Sequence, residues 1–529
     1  GASAAPHSRI PSTAHAGDMT TTLALGRPPQ ARSQEDPMPV SSAPRDEFAP
    51  FVDALEGDPS TLSDSFASLF GASASMVAAA TRRSVELSAE LTRIATGTSD
   101  LDPQRDRRFA DDTWSTNELY RRLGQSYLAW SDAVHGTVED LTVGDQERKR
   151  LELAAEVLTS SAAPTNTLAG NPAALRRAAE THGRSLVDGM GNMLEDIEAR
   201  RELPAMVDTE PFVVGETVAV TPGQVVFRND LVEVIEYAPT TPEVHERPLL
   251  IVPPQITKYY ILDLAPGRSL VEHAVGEGQR VFMISWRNPQ AAHAEWSLDT
   301  YADAIDDAID VALEITGSPD VNLVGTCAGG ITAAALAGSL AAEGDARVHT
   351  LTFLVTVLDW SRPSTLGSFL TPAAMSAMRQ QSRQDGIVSA AELAKIFAWL
   401  RPNDLIWSNW INNYLMGGSP ASFDILAWNA DSTNLPAGLH SDFLEVAGEN
   451  ALARPNELTV RGNKVDLSSL HCDVYVVAGQ TDHITPWESA YQSLALFGGP
   501  ARFVLTGTGH IQTLVCPESN PKARYYTND

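Results

Sequence analysis

The sequence predicts an α/β protein built on a parallel sheet, with a mainly helical region ahead of it and an insertion late in the sheet. Three observations predict this. Short, almost fully apolar runs recur in the second half of the chain, as central strands buried on both faces require. Helical periodicity separates several of them, and strand–helix alternation argues a parallel sheet. From about Phe48 to Leu203 the pattern is helical instead.

The chain has 529 residues, room for two to four folded units at roughly 150 residues each. With 43% hydrophobic and 20% charged residues, disorder of the whole chain is excluded. Sixty-seven acidic against 38 basic residues give a net charge of −29, which argues against a nucleic-acid or anionic-membrane partner reached by bulk electrostatics. A local basic pocket for an anionic ligand is still compatible with that charge. Three cysteines rule out a disulfide scaffold and fit a reducing compartment. No run approaches the ~18 apolar residues of a membrane span, and no secretory signal is readable. Met19, followed by three threonines, is a candidate natural start.

Residues 1–47 are rich in Ala, Ser, Pro and Gly without periodicity and are expected to be disordered. Residues 48–204 form the helical domain, with helices expected over Met76–Ile94, Thr113–Trp130 and Glu147–Leu158 and breaks at Pro164 and Pro172. The catalytic domain is expected over 205–529. Gln224–Arg228 and Leu231–Tyr237 flank Asn229–Asp230, a hairpin signal. Strands are expected at Leu249–Val252, Val281–Trp286, Val321–Val324, Leu351–Leu358, Val474–Ala478 and Phe503–Thr506. Leu298–Thr316 sets Tyr301, Ala302, Ile305, Ile309, Ala312 and Leu313 against five aspartates, an amphipathic helix. Between about 359 and 470 the alternation stops. That stretch carries Trp360, Trp399, Trp407, Trp410 and Trp428 and reads as a cap over the carboxyl edge of the sheet.

The sharpest chemical signal is Gly325-Thr-Cys327-Ala-Gly329-Gly330, after a buried strand and before an Ala-rich helix. It is the nucleophile-elbow pattern of the α/β-hydrolase fold, with Cys in place of Ser. A tight strand-to-helix turn needs small residues on either side, and the helix N-terminus favours a thiolate. The Ala328 N–H would face a developing oxyanion. A buried cysteine at a Gly-rich turn is the bland alternative, since free Cys is commonly a small core residue. Two further residues weigh against it: Asp482 follows one late strand and His510 follows the last. Nucleophile, acid, histidine is the chain order of that fold's triad. Singly, Asp482 could cap a helix and His510 could be a loop residue. His483 is a rival, but His510 is preferred because it follows the final strand, and a positioning or packing role is assigned to His483. Cys472 and Cys516 lack an elbow, and the three cysteines lack zinc-site spacing, so neither metal nor cofactor is expected. The loop after Ile251-Val-Pro-Pro would supply a second oxyanion donor. Pro253 and Pro254 have no N–H, which leaves Gln255 or Ile256, and Ile256 is favoured.

These residues resemble the polyhydroxyalkanoate synthase family. The resemblance is carried by Gly325–Gly330, by Val252-Pro-Pro-Gln-Ile-Thr-Lys-Tyr-Tyr-Ile-Leu-Asp263, and by Trp410-Ile-Asn-Asn-Tyr-Leu415. Phe423–Pro436 and Asp482-His-Ile-Thr-Pro-Trp487 share it, as do Asp106-Arg-Arg-Phe-Ala-Asp111, Ala163-Pro-Thr-Asn166 and Asn171-Pro-Ala-Ala174. It runs from about residue 100 to the end. It implies polymerisation of (R)-3-hydroxyacyl-CoA into a polyester with release of CoA, through an acyl-cysteine on Cys327 served by Asp482 and His510. It also implies a homodimer on polyester granules in the cytoplasm. Ile396–Trp407 and Gly507–Gln512 look most like the branch that uses medium-chain substrates. The family carries Trp-rich sequence beyond the segment resembling Tyr525–Asp529, so this chain is expected to be C-terminally shortened. Two alternatives stand beside this reading: a cysteine thioesterase or esterase of the same fold, and a non-catalytic granule-associated protein.

Overall fold

The computed structural model describes residues 74–517 and 519–527. The segment 1–47, expected to be disordered, and the helical pattern up to residue 73 lie outside the described residues. In the helical region α1 spans Ala74–Thr96, α2 Glu118–Glu139, α3 Asp145–Ser161, α4 Pro172–Glu180 and α5 Arg184–Glu198. The single helix expected over Thr113–Trp130 is divided. Thr113–Thr116 makes one turn, and then Asn117 caps α2, its side chain accepting from the N–H groups of Leu119 and Tyr120 at 3.0 and 3.3 Å. Asn prefers a cap to a helix interior, which is why the helix restarts there. Phe109, Trp114, Tyr127 and Ala163 form a small core of their own. The Arg108 side chain closes it, donating to Asp106 and to the Tyr127 hydroxyl (2.8 Å).

The sheet follows. β1 (Gly223–Arg228) and β2 (Val232–Tyr237) pair antiparallel across a turn in which the Asn229 side chain accepts from Leu231 and Val232 N–H, both at 2.9 Å. Then come β3 (Leu249–Val252), β4 (Val281–Trp286), β5 (Val321–Thr326), β6 (Val348–Leu354), β7 (Asp473–Gly479), β8 (Ala501–Thr506) and β9 (Tyr525–Thr527). The order across the sheet is β1-β2-β4-β3-β5-β6-β7-β8-β9. Strands β4 to β8 along that order run parallel, while β2 and β9 are antiparallel to their neighbours. The chain steps one way from β3 to β4, then back across β3 to β5. That reversal is a topological switch point, and it opens a crevice beyond the carboxyl ends of β3 and β5.

β6 differs from the expected Leu351–Leu358. It begins at Val348 and stops at Leu354, because Val355 takes a positive φ of 46° that a strand cannot continue through. The helices that position the strands are α6 (Leu270–Gly276), α7 (Leu298–Thr316) and α8 (Ala328–Glu343). α7 buries Tyr301, Ala302, Ile305, Ile309 and Ala312, and leaves Leu313 half-buried. Every residue of α8 from Ala328 to Leu340 is buried, so this helix lies inside the molecule and its small side chains let it lie close to the sheet. Between β6 and β7 the chain is mainly helical, with two short two-stranded ladders: α9 (Pro372–Asp385), α10 (Ala390–Trp399), two π-helical turns at Asn403–Trp407 and Ile411–Leu415, α11 (Asp424–Ala430) and α12 (Ala437–Gly448). After β7 and β8 come α13 (Trp487–Gln492) and α14 (His510–Val515). Among the described residues no helix is long and apolar enough to cross a membrane.

Candidate active site

Cys327 occupies the joint between β5 and α8. Its φ of 50° and ψ of −121° are far from any relaxed conformation of a non-glycine residue. Its own N–H donates to Leu354 O (3.0 Å) on the neighbouring strand, and its carbonyl accepts from Gly330 N–H (3.0 Å). The flanking glycines are required by contact. A Cβ on Gly325 would sit 2.5 Å from Gly330 Cα, and one on Gly329 would collide with the carbonyls of Val252 and Pro253. At the start of α8 the Ala328 and Gly329 N–H groups have no carbonyl within the helix to bond.

Asp482 follows β7 and His510 opens α14 just after β8; both are buried. His510 Nδ1 donates to Asp482 Oδ2 at 2.7 Å. The same carboxylate accepts from Ile484 N–H and Thr485 N–H at Oδ1 (2.9 Å each) and from the Thr485 hydroxyl at Oδ2 (2.7 Å). Asp482 therefore both fixes a turn and holds the histidine. The Cys327 sulfur lies near enough to the His510 ring to act on its charge. With Nδ1 engaged by Asp482, Nε2 is the nitrogen left for the sulfur.

Electrostatics follow from this geometry. Burial alone would lower the His510 pKa, but the Cys327 sulfur and the Asp482 carboxylate outweigh it and push the ring up to about 10. Burial would raise Asp482, yet the hydrogen bond and charge of His510 and the Thr485 donors hold it below the usual carboxylate range. Adjacent His483 is half-buried, and burial lowers its pKa. Cys472 is pushed the opposite way from an activated thiol, its pKa raised by burial.

Ile256 lies half-buried in the loop after β3, and Gln255 beside it is buried. The loop is pinned from three sides. Gln255 Nε2 donates to Thr332 Oγ1 of α8 (2.9 Å), and Trp286 Nε1 donates to Pro253 O (2.9 Å). From the insertion, Thr433 gives its hydroxyl to Gln255 O (2.5 Å) and its N–H to Ile256 O (3.2 Å). Trp428, also from the insertion, donates Nε1 to Lys258 O at 2.8 Å. Thr332, Thr433 and Thr485 are not legible as site residues in the sequence. Only Thr485 carries a local signal, standing three residues after an aspartate as in an Asx turn.

The strand order and a family model for the alpha/beta hydrolase fold, matching residues 248–515, define a protein of that fold. A hydrolase from Pseudomonas aeruginosa PA01 overlays with a TM-score of 0.35 at 17% identity, covering 55% of this chain and 92% of that one. A second family model, described as "Poly-beta-hydroxybutyrate polymerase (PhaC) N-terminus", matches residues 105–274. Poly(3-hydroxyalkanoate) polymerase 1 of Ectopseudomonas oleovorans is 47% identical over 439 residues, 83% of this chain and 78% of that protein. The polymerase subunit of Cupriavidus necator is 40% identical over 435 residues, 81% of this chain and 73% of that protein. The chain belongs to the poly(3-hydroxyalkanoate) polymerase family and is an acyltransferase enzyme.

Proposed function

We propose that this chain polymerises (R)-3-hydroxyacyl-CoA into polyhydroxyalkanoate through an acyl-cysteine on Cys327. The observation that carries the reading is a buried histidine paired with Asp482 at 2.7 Å, together with Cys327 held at a strained strand-to-helix joint. His510, oriented by Asp482, takes the proton of Cys327. The sulfur attacks the thioester carbonyl, the C–S bond to CoA breaks, and CoA leaves as the thiol with the proton from His510. The Ala328 and Ile256 N–H groups serve the oxyanion. The neutral ring then takes the proton of a 3-hydroxyl, whose oxygen displaces Cys327 and extends the ester chain. Exchange of one thioester for another is nearly isoenergetic, so the acyl group stays reactive toward an alcohol.

Water has to be excluded for that alcohol to win. The insertion supports such a role by bonding to the oxyanion loop through Thr433 and Trp428. In this reading the catalytic domain spans 205–529 with its cap at about 359–470, and a helical domain precedes it over 48–204. The substrates are medium-chain hydroxyacyl-CoAs, and the enzyme works as a cytoplasmic homodimer at the granule surface.

The test is incubation with 3-hydroxybutyryl- and 3-hydroxydecanoyl-CoA, reading free thiol and recovering product. Free thiol with insoluble polyester is expected. Thiol with only monomeric hydroxy acid makes the protein a thioesterase, and no thiol makes it a non-catalytic granule protein. Cys327→Ala should abolish CoA release, and an unchanged rate refutes the assignment.

A further inference from the structure

The side chain of Gln255 is buried at a cost to the fold. It stands in the loop after β3, one residue before Ile256, and the residue is 2% exposed. Yet its Oε1 has no hydrogen-bond partner among the described residues. A desolvated carbonyl left unpaired destabilises a protein, and an apolar side chain of the same length would not carry that penalty. Such an atom calls for a reason other than packing.

The other end of the amide supplies one. Gln255 Nε2 donates to Thr332 Oγ1 at 2.9 Å, and the Thr332 hydroxyl turns its own hydrogen to Ala328 O (3.4 Å). Thr332 is fully buried, one turn into α8. Gln255 therefore spans from the loop that carries the Ile256 N–H to the helix whose first residue carries the Ala328 N–H. Among the described residues it makes the one hydrogen bond between residues 253–258 and α8. Elsewhere the two segments meet by packing, as where Gly329 lies against the carbonyls of Val252 and Pro253. The unpaired Oε1 follows from this arrangement. The Thr332 hydroxyl is engaged as a donor and offers a lone pair, so the amide must turn its N–H inward and leave its oxygen without a partner.

We propose that Gln255 is a positioning residue for acyl transfer, its amide fixing the separation of the two backbone N–H groups that serve the oxyanion. The inference rests on the catalytic reading above. Two donors stabilise one oxygen only if both reach it, and a misplacement of about 1 Å can cost ~10²-fold in rate. Thr433 holds the same loop from the insertion side, through the carbonyls of Gln255 and Ile256 (2.5 and 3.2 Å). With Thr433 on one side and Thr332 on the other, the Ile256 N–H is left with a single position.

The test is Gln255→Met in the full chain, which keeps the length of the side chain and removes both polar atoms. Steady-state CoA release from 3-hydroxydecanoyl-CoA is read beside a thermal melt. We expect kcat to fall roughly ten- to hundredfold, short of the ~10²–10³ of a donor lost outright, with KM held within about twofold. The melting temperature should be unchanged or higher, because the unpaired carbonyl is gone. A merely structural side chain would show the reverse, a lower melt with the kcat of the folded protein kept, and that result overturns the proposal. Thr332→Val breaks the same bond from the other end. It should lower kcat to a similar degree, Thr332→Ser should restore it, and the double variant with Gln255→Met should be no slower than the slower single one. Losses that multiply in the double variant overturn the proposal, and so do equal rates for Thr332→Val and Thr332→Ser, which decide the matter even if Gln255→Met does not fold. The catalytic reading fails separately: it is lost if CoA release does not need Cys327. A Gln255→Met enzyme that acylates Cys327 at the unchanged rate loses this inference alone.

Discussion

At the scale of residues, the site joins one strained backbone to one buried charge pair. The glycines about Cys327 were legible as small residues at a turn, and the structure supplies the reason: Gly329 has the β3 carbonyls against it. Gly329→Ala should therefore destabilise the fold by about 3 kcal/mol, the upper end of overpacking costs, measured by denaturant unfolding. The His510 pair makes a pH prediction with a definite sign. A histidine raised to about 10 stabilises the folded state fully below its unfolded value near 6.5, and that stability is lost as pH climbs through about 10. Asp482, lowered, stabilises above its unfolded value near 3.9 and loses that contribution as pH falls through its folded value. In ¹⁵N spectra the ring should stay protonated from pH 6 to 9. Cys327→Ala removes the largest raising influence and leaves burial, so the titration should move down. A ring that titrates near 6.5 in both proteins contradicts the electrostatic account.

At the scale of elements, the apolar runs gave most strands to within a residue or two, because a strand buried on both faces has no other way to look in sequence. β6 was displaced, since nothing local marks Val355 as a positive-φ stop. Asn117, which divides the expected helix, is a cap residue and was open to that reading. Thr332 and Thr433 were not, because each acts across the fold, whereas Thr485 stands three residues after Asp482 and carried a local signal. Thr433 bonds two consecutive carbonyls of a loop 178 residues away in sequence. It ties the insertion to the loop that carries Ile256, so the position of one sets the position of the other. Thr433→Val keeps the shape and loses the hydroxyl. Complete loss of an oxyanion donor costs ~10²–10³ in rate, and a displaced one costs less. We expect kcat for CoA release to fall roughly tenfold with KM unchanged, and Thr433→Ser to restore it. An equal change in both variants, or a change in KM alone, removes the link between insertion and oxyanion loop.

At the scale of the molecule, the helical region holds the insertion more than it holds the sheet. Gln146 and Arg150 of α3 donate to Ser364 O and Ser368 O (3.1 Å each), Trp410 Nε1 donates to Asn166 O (3.1 Å), and Arg107 pairs with Asp404. Through Thr433 the chain of contact runs on to the loop beside Cys327. Tyr414→Phe, which breaks the bond to Asp196, should leave that carboxylate with Arg201 and Ala205 N–H and lower the melting temperature by a few degrees. The central claim is that one sulfur carries the growing chain. Its most direct test is intact-protein mass spectrometry of enzyme quenched in acid after seconds with a 3-hydroxyacyl-CoA, followed by peptide mapping. The account predicts a ladder of adducts spaced by one hydroxyacyl unit, on the peptide holding Cys327 and absent from Cys327→Ala. CoA release with that peptide unmodified, or a ladder on any other residue, contradicts it.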